Sequence, residues 1–103
     1  MSEPRLLRQE QQDEDQAYFN FINSIKSEAT KSVYQTYLKN FMDYCGLAKL
    51  CDLLKLDVQN SIIKYLIALR EKGLSSNSIS VRLNAIFHFY EMNDVVLNVI
   101  NYL

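Results

Sequence analysis

Glycine occurs only twice in the chain, at positions 46 and 73, and proline once, at position 4. Each glycine follows a stretch whose apolar residues recur at helical spacing, which is where a residue in the left-handed conformation closes a helix. No Asn-Gly or Asp-Gly pair stands between alternating apolar residues, so hairpin turns lack their usual chemistry, while Leu, Ile, Lys, Gln and Glu are plentiful. The fold class that follows is all-α. At 103 residues and 49% hydrophobic, the chain has the length of one domain and enough apolar side chain for one core. No apolar run approaches the roughly 20 residues needed to cross a bilayer. The opening MSEPRLLRQEQQDEDQ has no apolar signal-peptide core. A cytoplasmic protein with no membrane partner is expected.

Helical periodicity divides the chain. Tyr18, Phe21, Ile22 and Ile25 fall at i, i+3, i+4 and i+7 and predict a short first helix over about 16 to 26. Ser27 is a candidate N-cap for a second helix over about 28 to 45, closed by Gly46. Its apolar face is Val33, Tyr34, Tyr37, Leu38, Phe41, Tyr44 and Cys45; the opposite face presents Lys31, Ser32, Gln35 and Lys39, with Asp43 as its acid. Residues 47 to 56, LAKLCDLLKL, have no clean period and read as an irregular connection or a single helical turn on the core. Asp57 caps a third helix over about 58 to 72, with Val58, Ile62, Leu66 and Leu69 along one side and Ile63 and Ile67 widening the stripe. Such a broad stripe predicts a central, buried helix. A fourth helix over about 76 to 92 turns Ile79, Leu83, Ile86, Phe87 and Tyr90 inward, leaving Val81, Phe89 and Met92 outside. DVVLNVINYL reads as a short fifth helix or its start.

Charge and cysteine usage narrow the function classes. Cys45 and Cys51 lack CxxC spacing and the single His88 lies far along the chain, so neither a zinc site nor a redox pair is indicated, and no metal or cofactor is expected. The net charge of −1 argues weakly against nucleic acid. Its distribution softens that argument. Residues 1–16 hold two arginines against five acids, a balance of −3, which leaves +2 for residues 17–103. The first sixteen residues read as a disordered, Gln-rich acidic leader whose removal leaves stability unchanged, and residues 17–103 as the folded domain.

Two phrases within this helical frame carry a family likeness. The first is Thr30-xxx-Tyr34-xxx-Leu38-xx-Phe41, in TKSVYQTYLKNF; the second, about 40 residues on, is GLSSNSISVRLNAIFHFY at 73–90. In order and spacing they resemble the N-terminal core-binding domain of tyrosine recombinases, the phage integrase family, over about residues 17–95. Two positions depart from that pattern. Ser78 stands where threonine is common, and Phe87 stands where a basic residue is common, removing one phosphate contact. The resemblance implies a compact SAM-like bundle of four or five helices that sits on one side of duplex DNA. It also implies a separate catalytic domain of the same parent chain closing from the other side, with further recombinase protomers as neighbours on the DNA.

On that resemblance the second and fourth helices present their N-terminal ends to the major groove and the flanking backbone. The candidate DNA-binding residues are Lys26, Thr30, Lys31, Ser32, Gln35 and Lys39 at the second helix. Lys72, Ser75, Ser76, Asn77, Ser78 and Arg82 are those at the fourth. Physical chemistry supplies reasons for each type. Helix N-termini offer unpaired N–H donors and the positive end of the macrodipole, so small hydroxyls there let a phosphate approach; lysine and arginine neutralise phosphates; Asn pairs bidentately with adenine. Each also has a plainer reading. Ser75 or Ser76 can be a simple N-cap, the lysine stripe a solvated face, and Lys72 a cation at a helix C-terminus. No catalytic residue is expected, because His88 is followed by Phe89, Tyr90 and Glu91 rather than completing the HxxR motif that recombinase chemistry requires. Tyr34, Tyr37, Tyr44, Tyr65 and Tyr90 read as core residues with wet hydroxyl edges, and His88 as an ordinary surface or interface residue. The rival readings are a helical protein-interaction module, docking a partner on Val81, Phe89 and Met92, and a stand-alone accessory DNA-binding protein.

Overall fold

Local capping chemistry sets most of the helix boundaries in the computed structural model, which describes residues 5–97, with side chains from residue 8. The helices are α1 (Arg5–Asn23), α2 (Glu28–Cys45), α3 (Val58–Glu71) and α4 (Ser76–Met92), with a 3₁₀ turn, η1 (Leu50–Leu54), between α2 and α3. No strand occurs among the described residues, so the all-α expectation holds. Ser27 accepts the Thr30 N–H at 3.3 Å and Asp57 accepts the Asn60 N–H at 3.4 Å, each satisfying an orphan donor of the following first turn. Gly46, at φ 72°, ends α2: its N–H donates to Asp43 O while the Leu47 N–H donates to Met42 O, the pair of hydrogen bonds that a left-handed residue permits. Gly73, at φ 84°, repeats the device after α3 with Arg70 O and Leu69 O.

α4 is the central helix. Ile79, Leu83, Ala85, Ile86, Phe89 and Tyr90 are all buried on it, more than on any other described element. Phe89, expected outside, is fully buried, edge-on to Phe21 of α1 (centroids 5.9 Å) and to Tyr90 (5.2 Å). The reason is that α1 covers a second side of α4, so its apolar surface is wider than the single stripe through Ile79 and Leu83. Phe87, expected inward, is only half-buried. Conversely α3, expected to be central, leaves Ile67 47% exposed because it packs on one side only, through Ile62, Tyr65, Leu66 and Leu69. On α2, Leu38 and Phe41 are buried while Val33 and Tyr44 are exposed.

The acidic leader is corrected for residues 5–16, which form the first half of α1 instead of a disordered tail. Two local causes act. Gln9 and Gln11 donate to Asp13 and Asp15 at 2.9 Å, the i, i+4 amide–carboxylate pairs that stabilise a helix surface. The tertiary cause is stronger: both Glu14 carboxylate oxygens accept backbone N–H bonds from the first turn of η1, Leu50 at 2.8 Å and Cys51 at 3.0 Å. Glu10 adds a 3.4 Å ion pair to Lys49, which is exposed and contributes little. η1 itself buries Leu50, Cys51 and Leu53, and its Leu53 carbonyl accepts the buried Tyr90 hydroxyl at 2.8 Å. The irregular connection is therefore a core-packed turn. After Met92, Asp94 has φ 62° and residues 93–97 are not helical; the remainder of the expected fifth helix lies outside the described residues. Asn93 ties this end to α1, its Nδ2 donating to Ala17 O and its Oδ1 accepting from Asn20.

Candidate nucleic-acid interface

The first turn of α4 settles which serine caps it. Ser75 is extended (φ −67°, ψ 158°) and its Oγ accepts the Ser78 N–H at 3.2 Å, while Ser76 and Asn77 are exposed and Ser78 is half-buried. One residue thus meets the capping need. Ser75→Ala is expected to lower stability by about 1 kcal/mol, and Ser76→Ala and Asn77→Ala to be neutral or slightly stabilising because Ala is the better helix former. Thermal melts of the three variants check this; equal losses at all three positions contradict the assignment.

At the start of α2 the candidates divide between two sides of one helix. Lys31, Gln35 and Lys39, spaced i, i+4 and i+8, form one stripe. It faces α1, since Gln35 Nε2 donates to Tyr18 Oη at 2.6 Å. Lys31 lies 3.1 Å from Glu28 in an i, i+3 ion pair, and Lys39, Lys26 and Ser32 are exposed. Thr30 lies on another side, lining an open groove toward α4 with Val33, Tyr34, Tyr37, Val81 and Asn84.

Paired contacts show how the two helices run. Tyr34 of α2 packs on His88 (5.8 Å) and Tyr37, one turn later, carries the Arg82 guanidinium at 4.8 Å, so α4 descends as α2 advances. The helices are antiparallel at their contact, and their N-termini point to opposite ends of it. Lys26 and Lys31 are therefore set apart from the Ser75–Ser78 turn instead of forming one cluster with it. The cations of the second group lie in a different cleft: Lys72 and Arg82 line it with Asp43, Tyr44, Tyr65 and Leu69. Arg82 Nε is buried there without a hydrogen-bond partner among the described residues. Val33 and Asn84 were not singled out as site residues from sequence, and Val81 only as a docking residue of the protein-interaction reading. The signal that would have placed Asn84 is its i+7 spacing from Asn77, with Val81 between them on the same face.

His88 joins helices. Its Nε2 is 2.8 Å from Ser24 Oγ, and its ring meets Phe21 and Tyr34. The tyrosines closest to the core are ill-suited as nucleophiles: burial pushes the Tyr90 and Tyr65 phenols up, away from the phenolate. Burial likewise raises both free thiols, Cys45 and Cys51, above their ordinary range. No group of three or more His, Cys, Asp or Glu among the described residues is arranged to hold a metal ion, and no described helix is long and apolar enough to cross a membrane.

Residues 16–93, which take in the second half of α1 and the whole of α2 to α4, match the phage integrase N-terminal SAM-like domain. The chain belongs to this family. No curated protein and no solved structure shows significant similarity to it. The match starts just after Glu14, so the carboxylate that clamps η1 lies outside the matched span while the N–H donors it holds, Leu50 and Cys51, lie within it. This domain is the non-catalytic N-terminal part of integrases, which fits a bundle whose buried tyrosines and free thiols serve packing.

Proposed function

We propose that this integrase N-terminal domain binds duplex DNA without catalysing strand cleavage, as the core-binding part of a site-specific tyrosine recombinase. Its partners are then the DNA, a catalytic domain on the same parent chain, and other recombinase protomers on the same site. The observation that carries the reading is the family match across α2 to α4. In this reading Lys26, Lys31, Lys39, Lys72 and Arg82 neutralise phosphates. Thr30, Ser32, Gln35 and the Ser75–Ser78 turn bring hydroxyl, amide and N–H donors to the backbone at the two helix starts. Because the helix starts point to opposite ends of the α2–α4 contact, they address separate stretches of backbone. The surface between them faces the bases.

A duplex titration across a salt series tests this. Affinity on the order of 10⁻⁴ to 10⁻⁶ M is expected at physiological salt, and with Lys31 partly engaged by Glu28 about four phosphates are neutralised, for a slope of log K against log[salt] of about −3.6. A slope near zero, or no binding at low salt, overturns the proposal in favour of a protein-interaction module. That alternative loses part of its support, since Phe89 is buried. A stand-alone accessory DNA-binding protein gives the same titration and differs in one respect: no HxxR-containing segment follows in the parent reading frame.

A further inference from the structure

One groove between α2 and α4, lined by Thr30, Val33, Tyr34, Tyr37, Val81 and Asn84, has no charged residue in its lining. Val33 of α2 faces Val81 and Asn84 of α4 across this groove of about 430 Å³. Asn77, Val81 and Asn84 stand in a row at i, i+4 and i+7 on the outer side of α4. Val33 and Val81 are 45% and 39% exposed, and both asparagines are exposed. The cations lie outside this strip, with Lys31 and Lys39 on the α1 side of α2 and Lys72 and Arg82 in the separate cleft. Neither helix offers it an arginine: α2 has none, and Arg82, the one in α4, is held over Tyr37 with its Nε buried.

The major-groove edges of the bases sort such a strip. Guanine, with two acceptors, is read by arginine or lysine; adenine, with one acceptor and one donor, by the matching amide of Asn or Gln; and thymine adds a methyl group for apolar contact. We infer, resting on the DNA-binding reading above, that the strip selects A·T base pairs in the major groove, with Asn77 and Asn84 pairing to adenine and Val33 and Val81 packing on thymine methyl groups. A G·C pair in the same place sets its second acceptor against an amide oxygen and leaves the valines without a methyl partner. The cations on either side hold the phosphates while the uncharged strip meets the bases, which divides positioning from specificity.

Fluorescence anisotropy of the 103-residue chain with duplexes of equal length, at fixed low salt, tests the inference. A·T duplex is expected to bind about tenfold more tightly than G·C duplex. Inosine–cytosine duplex, which keeps guanine's major-groove edge but lacks its minor-groove amino group, should bind as weakly as G·C. Replacing thymine by uracil removes the methyl groups and should weaken binding about threefold. Asn77→Ala with Asn84→Ala should bring A·T and G·C within about twofold of each other, and Val33→Ala with Val81→Ala should abolish the thymine–uracil difference. All four side chains are exposed, so these variants should melt like the parent. Equal affinity for A·T and G·C with a steep salt slope overturns the inference and leaves DNA binding standing. Inosine–cytosine bound like A·T also overturns it, placing the preference in the minor groove. No binding to any duplex overturns both readings.

Discussion

Phe89→Ala is expected to destabilise the domain by about 3–5 kcal/mol, the range for emptying a fully buried aromatic site, with the thermal midpoint falling by about 15 °C or more. Phe89 has no exposed surface and is wedged edge-on between Phe21 of α1 and its own neighbour Tyr90, so the void left by truncation has walls on two helices that cannot both close. Val81→Ala, on the same helix but 39% exposed, should change stability by no more than about 0.5 kcal/mol. Urea or thermal denaturation of the two variants compares them directly. A Phe89→Ala protein that melts with the parent would show that α1 does not cover this side of α4.

Glu14→Ala should cost about 2–3 kcal/mol, because two backbone N–H donors in η1 lose a charged acceptor at once and Leu50 and Cys51 are buried residues. Glu14→Gln keeps one acceptor oxygen and should fall between the two. Asp15, one residue on, bonds only to Gln11 on the helix surface, so Asp15→Ala is the control and should be nearly neutral. Chemical denaturation gives the result; a neutral Glu14→Ala would mean that the first half of α1 is helical without supporting the fold.

These two residues show where the sequence was readable and where it was not. Ser27, Asp57, Gly46 and the extents of α2 and α4 were legible because capping is decided within four residues of chain. Phe89 was misplaced because a helical projection assumes one buried side, and α4 is covered on more than one. The acidic segment was misread because its composition, taken alone, favours disorder, and the groups that fix it are N–H donors 36 and 37 residues away. The same limit applied to the candidate interface. Spacing put Lys31, Ser32, Gln35 and Lys39 on one face of α2, but it could not name the neighbour that Gln35 meets there, which is Tyr18 of α1. Ser75 as cap was among the alternatives, and only the Oγ to Ser78 N–H distance separates it from Ser76.

η1 has a consequence for the order in which the fold assembles. A five-residue 3₁₀ turn is too short to persist alone, and both of its side-chain supports come from a distance, the Glu14 carboxylate across 36 residues and the Tyr90 hydroxyl across 37. The helices can form early from contacts near in sequence, whereas η1 must wait until α1 and α4 have each closed a long loop onto it. It is accordingly expected to form last, and to open first when either helix lifts away. The amide hydrogens of Leu50 and Cys51 report the docking of α1, although they belong to neither partner of the α1–α4 contact.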